Sequence, residues 1–154
     1  MAQPNPPSVR RADGPADMEA IFAFLRAHET LRAPLNEPKA KTGIAATIRE
    51  GLAFIIEQDG AMIGTAGLFR ADWWYSDESA FFSKWFHIAA NARAPRVVDA
   101  VVDEFYDLVE TEQEPVYIHV FKGGDVSRFS ARAAQEYALF PSGRVAAIHP
   151  VTEG

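Results

Sequence analysis

The sequence contains no cysteine. Disulfides, thiolate metal sites and cysteine nucleophiles are therefore excluded, and the chain is suited to a reducing compartment. No run approaches the roughly 20 apolar residues that span a bilayer. The opening MAQPNPPSVRR has no apolar core of the kind a secretory signal needs. The expectation is a cytoplasmic protein of bacterial or bacterial-virus origin that meets no membrane. Basic residues are in deficit, with 15 Lys and Arg against 21 Asp and Glu and a formal charge of −6. A protein whose surface mainly grips nucleic acid needs a basic face, so no nucleic-acid partner is expected, although a small basic pocket is allowed. The sequence also lacks a phosphate loop of the G-x-x-x-x-G-K-[ST] type and a nucleophile elbow. Its four histidines show no ligand spacing, so no metal is expected.

What remains is an ordinary globular composition, with 48% apolar and 23% charged residues over 154 positions. This is one domain's length, enough to bury a core. Residues 1–7 are Pro-rich and read as a disordered lead-in, and residues 8–154 as a single domain with no internal repeat. Ser8–Ala12 alternates like a short strand. The Asp-Gly-Pro step at 13–15 opens a helix in which Met18, Ile21, Phe22, Leu25 and His28 recur at helical spacing, to about Glu29. A second helix is predicted over Lys39–Arg49, stopped by Gly51.

LAFIIEQDGAMIGTAGLFR, residues 52–70, is two β-rich runs joined by Asp59-Gly60. That dipeptide accepts positive φ and favours a two-residue hairpin. A third antiparallel strand is predicted over Ser79–Ala89, then a helix over Pro95–Glu110, a strand over Pro115–Phe121, a helix near Ser127–Tyr137 and a last strand in GRVAAIHPV. The order is β-α-α-β-β-β-α-β-α-β. An antiparallel meander followed by a β-α-β crossover is an α+β arrangement, with a mixed, mainly antiparallel central sheet flanked by helices.

The most informative stretch is Trp85–Phe105, WFHIAANARAPRVVDAVVDEF. After Pro95 the residues Val98, Val101, Val102, Phe105, Leu108 and Val109 form one stripe. Arg96, Asp99, Asp103, Glu104, Asp107 and Glu110 lie opposite, which describes a helix with one buried face. Pro95 suits the first helical position, and Ala94 before it has no side chain that could cap. Two guanidiniums, Arg93 and Arg96, flank these first-turn N–H groups. Together with the helix dipole they favour an anion, above all a phosphate. An equally weighted reading pairs Arg96 with Asp99 or Asp103 and leaves Arg93 and the helix end to water.

Ile88-Ala-Ala-Asn-Ala-Arg93-Ala-Pro-Arg96-Val-Val98, after a hairpin and before an amphipathic helix, resembles motif A of the GNAT acyltransferases (Gcn5-related N-acetyltransferases). Their pattern is roughly V-x-P-x-x-[RQ]-x-x-G-x-[GA]. Ile88 takes the hydrophobic place, Ala90 the proline place and Arg93 the Arg/Gln place. Arg96 and Val98 take the two small-residue places. The order of elements is similar too, and Phe140-Pro141-Ser142-Gly143-Arg144-Val145 is similar to the family's G-F-x-P-x-G-x turn. A second arginine in place of the first glycine resembles a branch common in bacterial viruses.

The resemblance implies a GNAT fold in which a strand splays from its neighbour and its backbone pairs with the pantetheine arm of acetyl-CoA. On that reading the co-substrate lies along Phe86, Ile88 and Ala89. Its phosphates lie at Arg93, Ala94, Arg96, Val97 and Val98. Arg96 and Val98 lack the freedom of glycine and Pro95 has no N–H, so phosphate binding would rest more on guanidiniums than on amides. The implied reaction transfers an acetyl group to a small-molecule or protein amine, with the thioester carbonyl polarised by a backbone N–H near Ile88 or Ala89. The family's base is often a strand carboxylate. Here the candidates are His87 and Glu78, with a structural His87 and a solvated Glu78 as the alternatives. The acid is implied at Tyr137, about one turn from the family's place near Ala134. His119 faces either the cleft or the outer surface. A second class admitted by the same departures is a GNAT-fold protein with weak or no CoA binding that serves as a binding or assembly module. Trp73, Trp74, Tyr75, Phe81, Phe82, Trp85 and Phe86 read as core or as the interface of a homodimer.

Overall fold

The computed structural model describes residues 5–28, 33–92, 95–119, 139–140 and 145–148. In chain order they form β1 (Ser8–Arg11), α1 (Gly14–His28), α2 (Glu37–Arg49), β2 (Ala53–Gln58), β3 (Ala61–Asp72) and β4 (Ser79–Ile88). A single 3-10 turn at Ala90–Ala92 leads to α3 (Pro95–Glu112), β5 (Val116–His119), β6 (Leu139–Phe140) and β7 (Val145–Ile148). The expected α+β class and the order from β1 through β5 are present. The helix expected near Ser127–Tyr137 lies outside the described residues. The expected last strand has a short additional partner, β6, which pairs with β7.

Local chemistry explains where these elements start and stop. α2 begins two residues before the expected Lys39. Asn36 caps it by accepting the Lys39 N–H at 3.1 Å, and Pro38 is tolerated in a first turn whose N–H groups have no helical partner. Gly51 ends the helix at φ 74°. Asp59 and Gly60 adopt φ 54° and 78°, and Gln58 lies opposite Ala61, which is the two-residue hairpin with both turn residues left-handed.

The sheet runs β1-β2-β3-β4-β5-β7-β6. The first four strands are mutually antiparallel, and β4 and β5 are parallel. One face packs on α3, whose Val97, Val101, Phe105 and Val109 are fully buried against Phe54, Ile56, Leu68, Phe81 and Ile88. The predicted stripe is present and Val97 widens it. At about 1.5–3 kcal/mol for each fully buried side chain of this size, the stripe is what seats the helix. The opposite face packs on α1 and α2 through Ile21, Phe22, Ile44 and Ile55, with Trp85 at the edge.

The expected aromatic group is thereby divided. Phe81 and Phe86 belong to the α3 core. Trp85 joins the α1–α2 side. Trp73 and Phe82 pack with Tyr117, and Trp74 and Tyr75 are exposed. Strand alternation sends neighbouring aromatics to opposite faces, so density along the sequence did not become one cluster.

Among the described residues, no helix is long and apolar enough to cross a membrane.

Candidate functional site

Two features of β4 set the site. The first is its short ladder with β5: the described register pairs are Phe81↔Val116 and Phe82↔Tyr117. Beyond them β4 stays in register with β3 as far as Ile88, and β5 stays in register with β7 through His119. Among the described residues the parallel β4–β5 ladder is thus short, and β4 runs on past it to Ile88.

The second feature is a bulge. Gly67 lies opposite Trp85 and Leu68 opposite Ser83, so Lys84 is the extra residue on β4. A bulge puts two successive side chains on one side of the strand. Lys84 and Trp85 accordingly both line a cavity of about 950 Å3 between β4, α2 and the end of α1, with Leu25, Leu35 and Ile44 among its apolar walls. Trp85 is held in place by polar bonds beneath it. Its indole N–H donates to Thr65 Oγ1 at 3.0 Å, and the Thr65 hydroxyl donates to the Phe54 carbonyl at 2.8 Å. Thr65 is completely buried, so both bonds are shielded from water.

The residues implied for the co-substrate share one property. Phe86, Ile88, Ala89, Val97 and Val98 all bury their side chains. The Ala89 N–H donates to the Ile63 carbonyl at 2.8 Å, on the β3 side. This removes Ala89 as a polariser of a carbonyl in the splay. Alternation turns the Phe86 and Ile88 N–H groups to the β5 side. Ala89 is followed at once by the 3-10 turn, whose Ala92 N–H bonds the Ala89 carbonyl at 2.8 Å, and then by α3. Val98 occupies a place where motif A has a small residue, but its side chain is in the core and does not block the helix end. Arg96, half-buried in the first turn of α3, is the one charged residue among the described cofactor candidates. Arg93, Ala94 and Tyr137 lie outside the described residues.

His87 is on the α1 side of β4. Its ring lies 5.9 Å from that of His28 and 6.0 Å from Phe24, centroid to centroid, and His28 in turn packs on Phe24 at 4.3 Å. It is two residues from Trp85 on the same face. Glu78 is not brought near it. That residue is exposed in the loop before β4, with its N–H bonded to Ser76 Oγ and its carbonyl to the Trp73 N–H. At about 3.3 Å per strand residue, nine residues separate it from His87 by roughly 30 Å. Among the described residues, no group of three or more metal-ligating side chains exists.

The pairing of His87 with His28, the bulge and the Lys84 side of the cavity were not anticipated from the sequence. The one available sign was the small run Gly64-Thr65-Ala66-Gly67, which faces the aromatic β4 and leaves room for an indole.

No protein-family model matches the sequence, and no curated protein matches it. Solved structures do. A GNAT family N-acetyltransferase from Escherichia coli in complex with CoA superposes with a TM-score of 0.60 at 17% identity, covering 97% of this chain and 84% of that one. An acetyltransferase from Clostridium acetobutylicum with acetyl-CoA gives 0.64 at 12% identity, covering 87% and 93%. A Drosophila melanogaster polyamine N-acetyltransferase that forms N-acetylagmatine gives 0.58 at 14% identity, covering 93% and 99%. This chain has the GNAT fold. Within it, the end of β4 and the 3-10 turn before α3 are the segments that the motif A resemblance covers. At these identities the likeness speaks to architecture, and the GNAT fold alone does not assign a reaction.

Proposed function

We propose that the protein is an acetyl-CoA-dependent N-acetyltransferase, with the co-substrate in the splay between β4 and β5 and an amine acceptor in the cavity over Trp85. The observation that carries this reading is the short β4–β5 ladder, whose last pair among the described residues is Phe82↔Tyr117, with β4 continuing to Ile88 and a 3-10 turn preceding α3. The described residues fit such a ligand. Main chain at Phe86 and Ile88 suits the amide-bearing pantetheine arm. The first turn of α3 with Arg96 suits the diphosphate, because a helix start and a guanidinium both favour anions. The E. coli and Clostridium structures contain CoA and acetyl-CoA respectively, which supports the same choice.

When bound, the co-substrate supplies an acetyl thioester. The chain's part is to align the amine and remove its proton. His87 faces the acceptor side and is the nearest candidate base to the Trp85 cavity, with an imidazole suited to accepting a proton near neutrality. One N–C bond forms and one C–S bond breaks. Of the two protons the ammonium loses, one passes through His87 to solvent and one ends on the leaving sulfur.

The test is thermal unfolding with and without acetyl-CoA, coupled to thiol release in the presence of amines. A ligand at a hundredfold excess over its Kd adds about 2.7 kcal/mol of stability. A folded protein whose unfolding is unmoved by millimolar acetyl-CoA would overturn the assignment.

A further inference from the structure

The cavity over Trp85 carries a charge pattern that selects among amines. Among the described residues, its ionic lining groups are Lys39 on α2 and Lys84 on the β4 bulge. Among the described residues no carboxylate lines it. The neighbouring Lys41 is different: Glu19 and Glu37 neutralise it, each at 3.1 Å. No such acid partner is found among the described residues for Lys39 or Lys84. The Lys84 ammonium is carried over to α2, where it lies 3.6 Å from the point a Cβ on Gly43 would occupy. Gly43 is one helical turn beyond Lys39, about 6 Å along the axis. The charged end of the cavity therefore brings together a cation from α2 and one from β4, in a chain that is acidic as a whole. Most of the other described lining residues are apolar, Leu25, Leu35, Ile44 and Trp85 among them, with Asn36 and Thr42 the polar exceptions.

From this arrangement we infer that the acceptor is an amine on an apolar body that also carries a carboxylate, bound at Lys39 and Lys84 with the amine directed along β4 towards His87. The inference rests on the acetyltransferase reading for the amine's fate, but not for the binding of the carboxylate. Lys84 and His87 are three strand residues apart, roughly 10 Å. That separation suits a carboxylate and an amine at opposite ends of the molecule better than both on one carbon. A second ammonium at the lysine end is repelled at close range, with no acid among the described lining residues to compensate, so a polyamine is the wrong class for this cavity.

Three probes of one chain length decide the matter: ε-aminocaproate, hexylamine and hexamethylenediamine. The first ends in a carboxylate, the second in a methyl group and the third in an ammonium. Calorimetric titration of the full-length protein, with and without CoA, should bind ε-aminocaproate about tenfold or more tighter than the diamine, with hexylamine between them. In acetyl transfer the same order should appear mainly in KM. Lys39→Gln with Lys84→Gln should collapse the ratio between ε-aminocaproate and hexylamine, and each single variant should do so in part. Retained folding is checked by the far-UV spectrum and the urea midpoint. Equal or preferred binding of the diamine, an unchanged ratio in the double variant, or no binding of ε-aminocaproate at millimolar concentration would each overturn the inference. If acetyl-CoA does not bind but the calorimetric order holds, the enzyme reading falls and the carboxylate site stands. If acetyl-CoA binds and the diamine is the better acceptor, the carboxylate site falls and the enzyme reading stands.

Discussion

The indole of Trp85 lies directly on the backbone of Gly67. A Cβ built on Gly67 would fall inside the contact radius of the six-membered ring. Gly67 and Trp85 are register partners beside the bulge, so the missing side chain is what makes room for the ring at the wall of the cavity between β4 and α2. Gly67→Ala should force the ring off its seat. Overpacking of this kind costs about 1–3 kcal/mol. Urea unfolding should show a lower midpoint with an unchanged slope, and acceptor affinity should fall more than acetyl-CoA affinity does. A variant with wild-type stability and acceptor binding would mean the contact carries no weight.

Thr65 fixes the same ring from below. Its hydroxyl accepts from the Trp85 indole and donates to the Phe54 carbonyl, and Thr65 itself is fully buried. Thr65→Val keeps the shape, removes both bonds and leaves a buried N–H and a buried carbonyl short of partners, at about 1–3 kcal/mol for such groups. Thr65→Ser keeps the hydroxyl and should recover most of that loss. Thermal unfolding of the two variants side by side checks the assignment. Equal melting temperatures would show that the hydroxyl is irrelevant and that volume alone matters.

The parts of this molecule legible in the sequence are those governed by short-range periodicity. The α3 stripe, the Asp59-Gly60 turn and the two β-rich runs that it joins each depend on residues within a few positions of one another, and each appears where it was expected. The GNAT resemblance was readable in RAPRVV, although that motif lacks its glycines, because strand, turn and helix were all in place around it. The site was less legible. The bulge at Lys84 depends on what lies across the sheet at Gly67, and the His28–His87 pair brings together residues 59 positions apart (87 − 28). The Lys39–Lys84 end of the cavity likewise joins two elements that only the fold makes neighbours. Glu78, close to His87 in sequence terms, is carried to the far end of the same strand because strands are extended.

His87 should matter for rate and not for co-substrate binding. If it accepts the acceptor's proton, His87→Ala should lower kcat by about 10²–10⁴ and leave the acetyl-CoA stabilisation intact. His28 touches His87 but, by the present reading, not the reacting atoms, so it is a positioning residue. His28→Ala should produce a smaller loss and a displaced pH profile, while His28→Gln should recover part of the rate. Stopped-time assays of thiol release across pH separate these outcomes. Wild-type turnover in His87→Ala would remove His87 from the mechanism and return attention to Tyr137.

The seat of α1 should be sensitive to acid through Asp17. The Arg10 guanidinium grips both Asp17 oxygens at 2.7 and 3.0 Å and also bonds Glu57, tying α1 to β1 and β2. The Arg10 hydrogen bonds hold the Asp17 carboxyl below its ordinary value of 3.8, partial burial works against them, and the Asp13 N–H at 2.7 Å adds to the lowering. A carboxyl whose folded pKa lies below its unfolded one is less protonated in the native state. Its contribution is therefore complete above the unfolded value and is lost as the pH falls through the folded one. Arg10 is nearly half exposed, so solvent screening limits the loss in Asp17→Asn to about 1 kcal/mol at neutral pH. Below pH 3.8 the wild type gives up that advantage and the two stability curves converge. Urea midpoints at neutral pH and in acid measure the gap directly, and parallel curves would show that the Arg10 fork does not stabilise the carboxylate. Because the far end of α1 carries Leu25 and His28, loosening its seat should also weaken acceptor binding in the cavity over Trp85, which the same variant tests at neutral pH.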